Sequence, residues 1–152
     1  MSPQVKSQLG VLFAFIAASI AVTWPLAISF NTGVPYGGDA FQFIWNGWWM
    51  SKAASDPNLS VWFTPYQYAL SGSSLVLHDL SPLNAFIASI LRNFMSDFAA
   101  YDLLIIFHYV IGAWGAYILA FYFTGNRPGS VIAGTIYGFS TFHAMHLSQL
   151  ST

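Results

Sequence analysis

The chain has 152 residues, of which 56% are hydrophobic, 18% aromatic and only 6% charged, with a mean hydropathy of +0.58. Soluble domains carry about a quarter charged residues, so four Lys and Arg against five Asp cannot clothe a water-soluble globule, and most of this surface must face lipid or other protein. A net charge of −1 without a basic cluster argues against a nucleic-acid partner, and the absence of cysteine excludes disulfides and thiol chemistry. The composition predicts an all-α integral membrane protein. There is no glutamate, so every side-chain carboxylate belongs to Asp39, Asp56, Asp79, Asp97 or Asp102.

Residues 9–30 form an apolar run long enough, at 1.5 Å per residue, to cross a hydrocarbon core of about 30 Å. The run is longer than a signal-peptide core and ends in Trp24-Pro25 and Phe30 instead of a small-residue cleavage site, which favours a retained anchor. Lys6 before it, with no cation directly after it, puts the N-terminus in the cytoplasm by the positive-inside rule. The following loop, residues 31–79, is then external.

That loop is too long for a simple connection and is where function is expected. Its centre runs from Gly37-Gly38-Asp39 to Lys52. Asp39, Gln42, Asn46 and Trp49 share one face at helical spacing, and Phe41, Ile44, Trp45 and Trp48 share another, which predicts a helix lying at the membrane interface with Asp39 as N-cap. There the helix N–H groups would favour a charged carboxylate, either as a plain cap or as an acid that works on a ligand. Asp56-Pro57-Asn58 marks a turn, and Trp62, Tyr66 and Tyr68 suit the headgroup level.

His78-Asp79-Leu80-Ser81-Pro82 precedes a short apolar segment, residues 82–95, with Pro82 at the first turn and Ser81 or Asp79 as cap. Residues 99–123 are long enough to cross, and residues 129–150 form a further span, with Ser130, Gly134 and Gly138 making a small-residue face for close helix packing. The fold expected is therefore three or four transmembrane helices with a long external first loop containing interfacial helices. The number turns on whether residues 82–95 span or lie at the interface. If they do not span, Arg92 is external and His143, His146 and Gln149 reach the same side as Asp39. So many small and polar helix faces suggest one transmembrane region that forms part of a larger protein, whose remainder or another subunit would be its partner.

Several polar groups have both bland and functional readings. His143 and His146 stand three residues apart, but a zinc site needs more ligands than these two offer, so structural or headgroup contact is the plainer role. His108 lies within an apolar run, where a neutral imidazole serves structure or a polar pathway equally well. Asp102 reads as a cap for the helix beginning near Ala99 or Tyr101, and Asp56 as a turn residue. His78, just before a proline-started helix at the outer surface, is set to meet an anion such as a lipid phosphate, or is simply a histidine in a turn. No Walker loop, dinucleotide fingerprint, serine elbow or HExxH is present.

The order of these parts resembles the N-terminal part of the GT-C class of multi-spanning membrane glycosyltransferases. The likeness rests on Gly37-Gly38-Asp39 heading an aromatic interfacial helix, on His78-x-x-Ser81-Pro82-Leu83, on the turn with Gly125 and Arg127, and on a Gly-rich helix ending in His143 and His146. The class includes protein mannosyltransferases and aminoarabinose transferases. The resemblance implies transfer of a sugar from a polyprenyl-phosphate donor to an acceptor on the external face. It makes Asp39 the catalytic base or a ligand to a divalent metal ion, and His78 a contact to the donor phosphate, although the class usually has His directly before Pro-Pro. It leaves Gln42, Asn46, Trp49 and Tyr66 to bind substrate, with Arg92, His143 and His146 as further candidates. The partners implied are the lipid-linked donor and membrane lipids. A transporter or channel subunit, or a non-catalytic membrane segment, would share the composition; midplane polar groups such as His108 favour the former.

Overall fold

The computed structural model describes residues 3–34, 39–68 and 70–145. The chain is mostly helical, and two of its described helices are long and apolar enough to cross a membrane. It divides into two compact units, one of residues 1–30 with 105–147, the other centred on residues 31–104.

In the first unit, α1 (Pro3–Val22) starts with a proline at its first turn, where the missing N–H does no harm. It stops well short of residue 30, because Pro25 offers no N–H and crowds the backbone of the turn before it. The helical path resumes only as the four-residue α2 (Leu26–Ser29). Two buried hydroxyls on this path are satisfied without leaving it: Ser19 donates to the Phe15 carbonyl and Thr23 to the Ser19 carbonyl, each at 2.8 Å.

The core of this unit is Phe15, packed edge-on against Tyr117 (6.2 Å between centroids) and against Ala113 of α5 (Asp97–Thr124). The small-residue face of α6 (Arg127–Gly138) closes over it. Ser130, Gly134 and Gly138 are all buried, and a methyl on Gly134 would lie 2.6 Å from the Ala113 carbonyl oxygen. Asn126 caps α6 by accepting from the Gly129 N–H. The span expected over residues 129–150 is not continuous: α6 ends at Gly138, and the chain restarts as α7 (Thr141–Met145). Ser140 stands just before that restart, where a serine competes best with continued helix. At 12 residues, or about 18 Å, α6 is too short to cross alone. The described residues thus hold two span-length helices, α1 and α5, where three or four were expected.

In the second unit, α3 (Asp39–Ser55) buries Ala40, Phe43, Asn46, Gly47, Trp49 and Ala53. α4 (Pro82–Leu91) lies against it at a close crossing, where a methyl on Gly47 would meet the Ala88 methyl at 2.8 Å. The segment predicted as residues 82–95 is thus a ten-residue helix followed by turns. Ser81 is its cap residue but bonds Asn84 Nδ2 (2.8 Å) and not the backbone. Between α3 and α4 a two-stranded antiparallel hairpin pairs β1 (Phe63–Thr64) with β2 (Ser73–Ser74), Phe63 opposite Ser74. Gly72 enters β2 at a positive φ of 71°, and any side chain there would strike the Phe63 ring, so only glycine serves. Trp49, Ala53, Leu75 and Leu80 form the core between hairpin and helix.

Candidate functional site

Asp39 opens α3 as its first helical residue, half-buried in the first turn. The glycines before it lie outside the described residues. Its neighbourhood includes the start of α5, where Tyr101 is within electrostatic reach of both Asp39 and Asp102. Asp102 is not the cap that the sequence suggests. α5 begins at Asp97, and Ser96 takes the capping role by accepting from the Ala99 N–H at 3.1 Å. Asp102 is left more than a turn inside the helix, wholly buried, and neither carboxylate oxygen has a hydrogen-bond partner among the described residues. Sequence reasoning had one usable signal for it, an acid within the apolar run of residues 99–123 and not ahead of it.

His78, in the turn before α4, packs half-buried against α3, its ring edge-to-face on Trp45 at 6.4 Å. Its Nε2 is enclosed and unpartnered among the described residues. The turn that carries it is fastened to α3 by amides. Asn46 Nδ2 donates to the carbonyls of Asp79 (2.8 Å) and Leu80 (3.1 Å), and Gln42 Nε2 reaches the Asp79 carbonyl at 3.4 Å. Gln42 is thus at the rim. Asn46, 1% exposed, is an interior brace and not a group that a ligand would meet first.

Trp49 is also interior, at 0% exposure, with its indole N–H donating to the Val61 carbonyl at 3.2 Å. The sequence reading placed Asn46 and Trp49 on a binding face; the structure turns that face inward, because Asn46 has backbone carbonyls to satisfy there. Tyr66 is well exposed, its ring T-shaped to Trp48 (5.6 Å) and against Trp49 (5.8 Å). Trp45 and Trp49 stack nearly parallel at 5.9 Å, which completes an aromatic wall along α3.

Arg92 is committed elsewhere. Its Nε and second guanidinium nitrogen grip both oxygens of Asp97 (2.9 and 3.3 Å), and the remaining nitrogen donates to the Trp48 carbonyl. A guanidinium already neutralised in a bidentate pair has little left for a phosphate, so Arg92 acts as a clamp between the start of α5 and α3. Beside it lies a small, partly open hollow walled by Phe43, Gly47, Ala85 and Leu104, with Asn46, Asn84, Asp97 and Tyr101 among its polar groups; neither Asp39 nor His78 lines it. His143 belongs to the other unit, where its Nδ1 lies 3.0 Å from both the Ser140 hydroxyl and the Tyr137 carbonyl, among Tyr109, Tyr137 and Phe142. His146 lies outside the described residues.

A divalent ion would need several oxygen or nitrogen ligands around Asp39. The described residues contain no cluster of three or more His or Asp side chains, so Asp39 has no set of companions there for one. Lys52, overlooked in the sequence, stands over the faces of Trp48 and Tyr66; its spacing of four from Trp48 was the available signal. No protein-family model matches the chain, and neither does any curated protein or solved structure.

Proposed function

We propose that this chain is membrane-integral and supplies the acidic first external loop of a GT-C class glycosyltransferase, which moves a sugar from a polyprenyl-phosphate donor to an acceptor hydroxyl. The observation that carries the reading is Asp39 at the head of an amphipathic, aromatic helix, with His78 braced against the same helix. The two helices of span length, α1 and α5, support a membrane location, and with Lys6 near the start of α1, ahead of its apolar run, the N-terminus is cytoplasmic by the positive-inside rule.

In this reading Asp39 takes the proton of the acceptor hydroxyl as its oxygen bonds the anomeric carbon, and the bond from that carbon to the phosphate oxygen breaks. The departing phosphate gains charge, and His78, held against the same helix, is the donor this reading assigns to it. The rim amide of Gln42 flanks the sugar, whereas Tyr66 stands toward the Lys52 end of α3.

The test is transfer by the protein in membranes, with extracted polyprenyl-phosphate sugars as donors, comparing wild type with Asp39→Asn. The substitution removes charge and basicity at nearly constant shape. Loss of a general base should lower the rate by about a hundredfold or more while helix content and expression hold. Consumption of no donor, or equal transfer by the variant, refutes the reading and returns Asp39 to a helix-start role. A second reading, a transporter subunit, draws on one observation: the unpartnered carboxylate of Asp102 inside a helix of span length.

A further inference from the structure

We propose that Lys52, Trp48 and Tyr66 form a second binding site, for the phosphate of an anionic lipid headgroup, at the opposite end of α3 from Asp39. The inference rests on α3 lying at the membrane surface, and it is independent of sugar transfer. Asp39 and Lys52 are separated by 13 helical steps, about 20 Å along the axis, so one phosphate cannot serve both.

The Lys52 ammonium lies 5.9 Å from the Trp48 ring centroid and 5.7 Å from that of Tyr66. Aromatic faces attract a cation but accept none of its hydrogen bonds as a lone pair would. The acceptor expected nearby, the Asp56 carboxylate, makes no ion pair with Lys52 among the described residues. Asp56, one turn on, points at Asn58, whose backbone N–H and Nδ2 both donate to its Oδ1 (2.9 and 3.1 Å). Lys52 makes no ion pair among the described residues. Arg92, the other Lys or Arg within residues 31–104, is held by Asp97. Lys52 is therefore the one permanent cation of that unit with its charge still open to a ligand.

The ammonium is also held in position. The Tyr66 ring stands edge-on to Trp48, and both are backed by Trp49, which is buried and tied to the Val61 carbonyl. The residues that follow, 57–77, carry no charge, and Trp62 and Phe63 are exposed there. Aromatics of this kind sit at headgroup depth, where the abundant anion is phosphate. A choline headgroup would bring a second cation to ring faces that Lys52 already occupies. Selectivity should therefore favour anionic lipids over zwitterionic ones.

The experiment uses the full chain in a neutral detergent, titrated separately with dioctanoyl phosphatidylglycerol, dioctanoyl phosphatidylcholine and inorganic phosphate while tryptophan emission is followed. Wild type should respond saturably to phosphatidylglycerol, with half-saturation about fivefold below that for phosphatidylcholine. Lys52→Gln should erase that gap, while Lys52→Arg, Lys6→Gln and Arg127→Gln keep it, all with unchanged circular dichroism. Inorganic phosphate that competes assigns recognition to the phosphate group alone; phosphate that does not compete assigns it to the intact lipid, and either outcome supports the site. A gap that survives Lys52→Gln, or that vanishes equally in Lys6→Gln, overturns it, as does a response to inorganic phosphate with none to phosphatidylglycerol. Asp39→Asn should leave the gap unchanged, so failure of this site and failure of the transferase reading are distinguishable.

Discussion

Replacing Gly134 and Gly115 by alanine, one at a time, isolates what holds α6 against its neighbours. The two substitutions are chemically identical and both fall in helices, so the gain in intrinsic propensity, up to about 1 kcal/mol, is common to both and cancels in their difference. At Gly115 a new methyl meets nothing within 4 Å. At Gly134 it would lie 2.6 Å from the Ala113 carbonyl oxygen, 2.8 Å from Phe15 Cζ and 3.1 Å from Tyr117 Cβ. Carbon atoms pack best at about 3.5–4.0 Å, so α6 must withdraw by roughly 1 Å. The first obstacle is backbone, which cannot rotate away as a side chain would. Overpacking of this kind costs about 1–3 kcal/mol, and withdrawal would also loosen Phe15 and Tyr117. Gly134→Ala should thus be less stable than Gly115→Ala by about 1–3 kcal/mol, and Gly115→Ala at least as stable as wild type. Denaturant unfolding in mixed micelles, followed by circular dichroism, measures the difference. Equal midpoints for the two variants would refute the close-packing account of the small-residue face.

Two further outcomes follow from contacts in the other unit. Arg92→Gln should destabilise more than Asp97→Asn, because Arg92 also donates to the Trp48 carbonyl; with the pair partly exposed, a double-mutant cycle should give a coupling of about 1 kcal/mol or less. Trp49→Phe keeps an aromatic ring in the core but strands the Val61 carbonyl, and should cost about 1–3 kcal/mol, against about 3–5 kcal/mol for Trp49→Ala; thermal unfolding of the two variants ranks them.

The periodicity of α3 was legible in the sequence, but which side faces inward was not. Asp39, Gln42, Asn46 and Trp49 read as a face turned toward a ligand because amides and acids are ordinarily exposed. That rule presumes water outside. Here Phe41 is 62% exposed while Asn46 and Trp49 are buried, the arrangement suited to a helix whose outer side meets lipid. Inside, Asn46 answers the carbonyls of a turn that no strand or helix pairs with. The same logic explains why the Ser130, Gly134 and Gly138 stripe could be read directly: close packing needs small residues whatever the solvent. By contrast, the end of α6 at Gly138 and the pairing of Arg92 with Asp97 depend on competition between neighbouring groups. A stretch of sequence displays such competitors without ranking them. Asp102 was misread for a related reason, since an aspartate near a helix start is usually a cap, and only the prior claim of Ser96 on the N-terminal N–H groups leaves it inside.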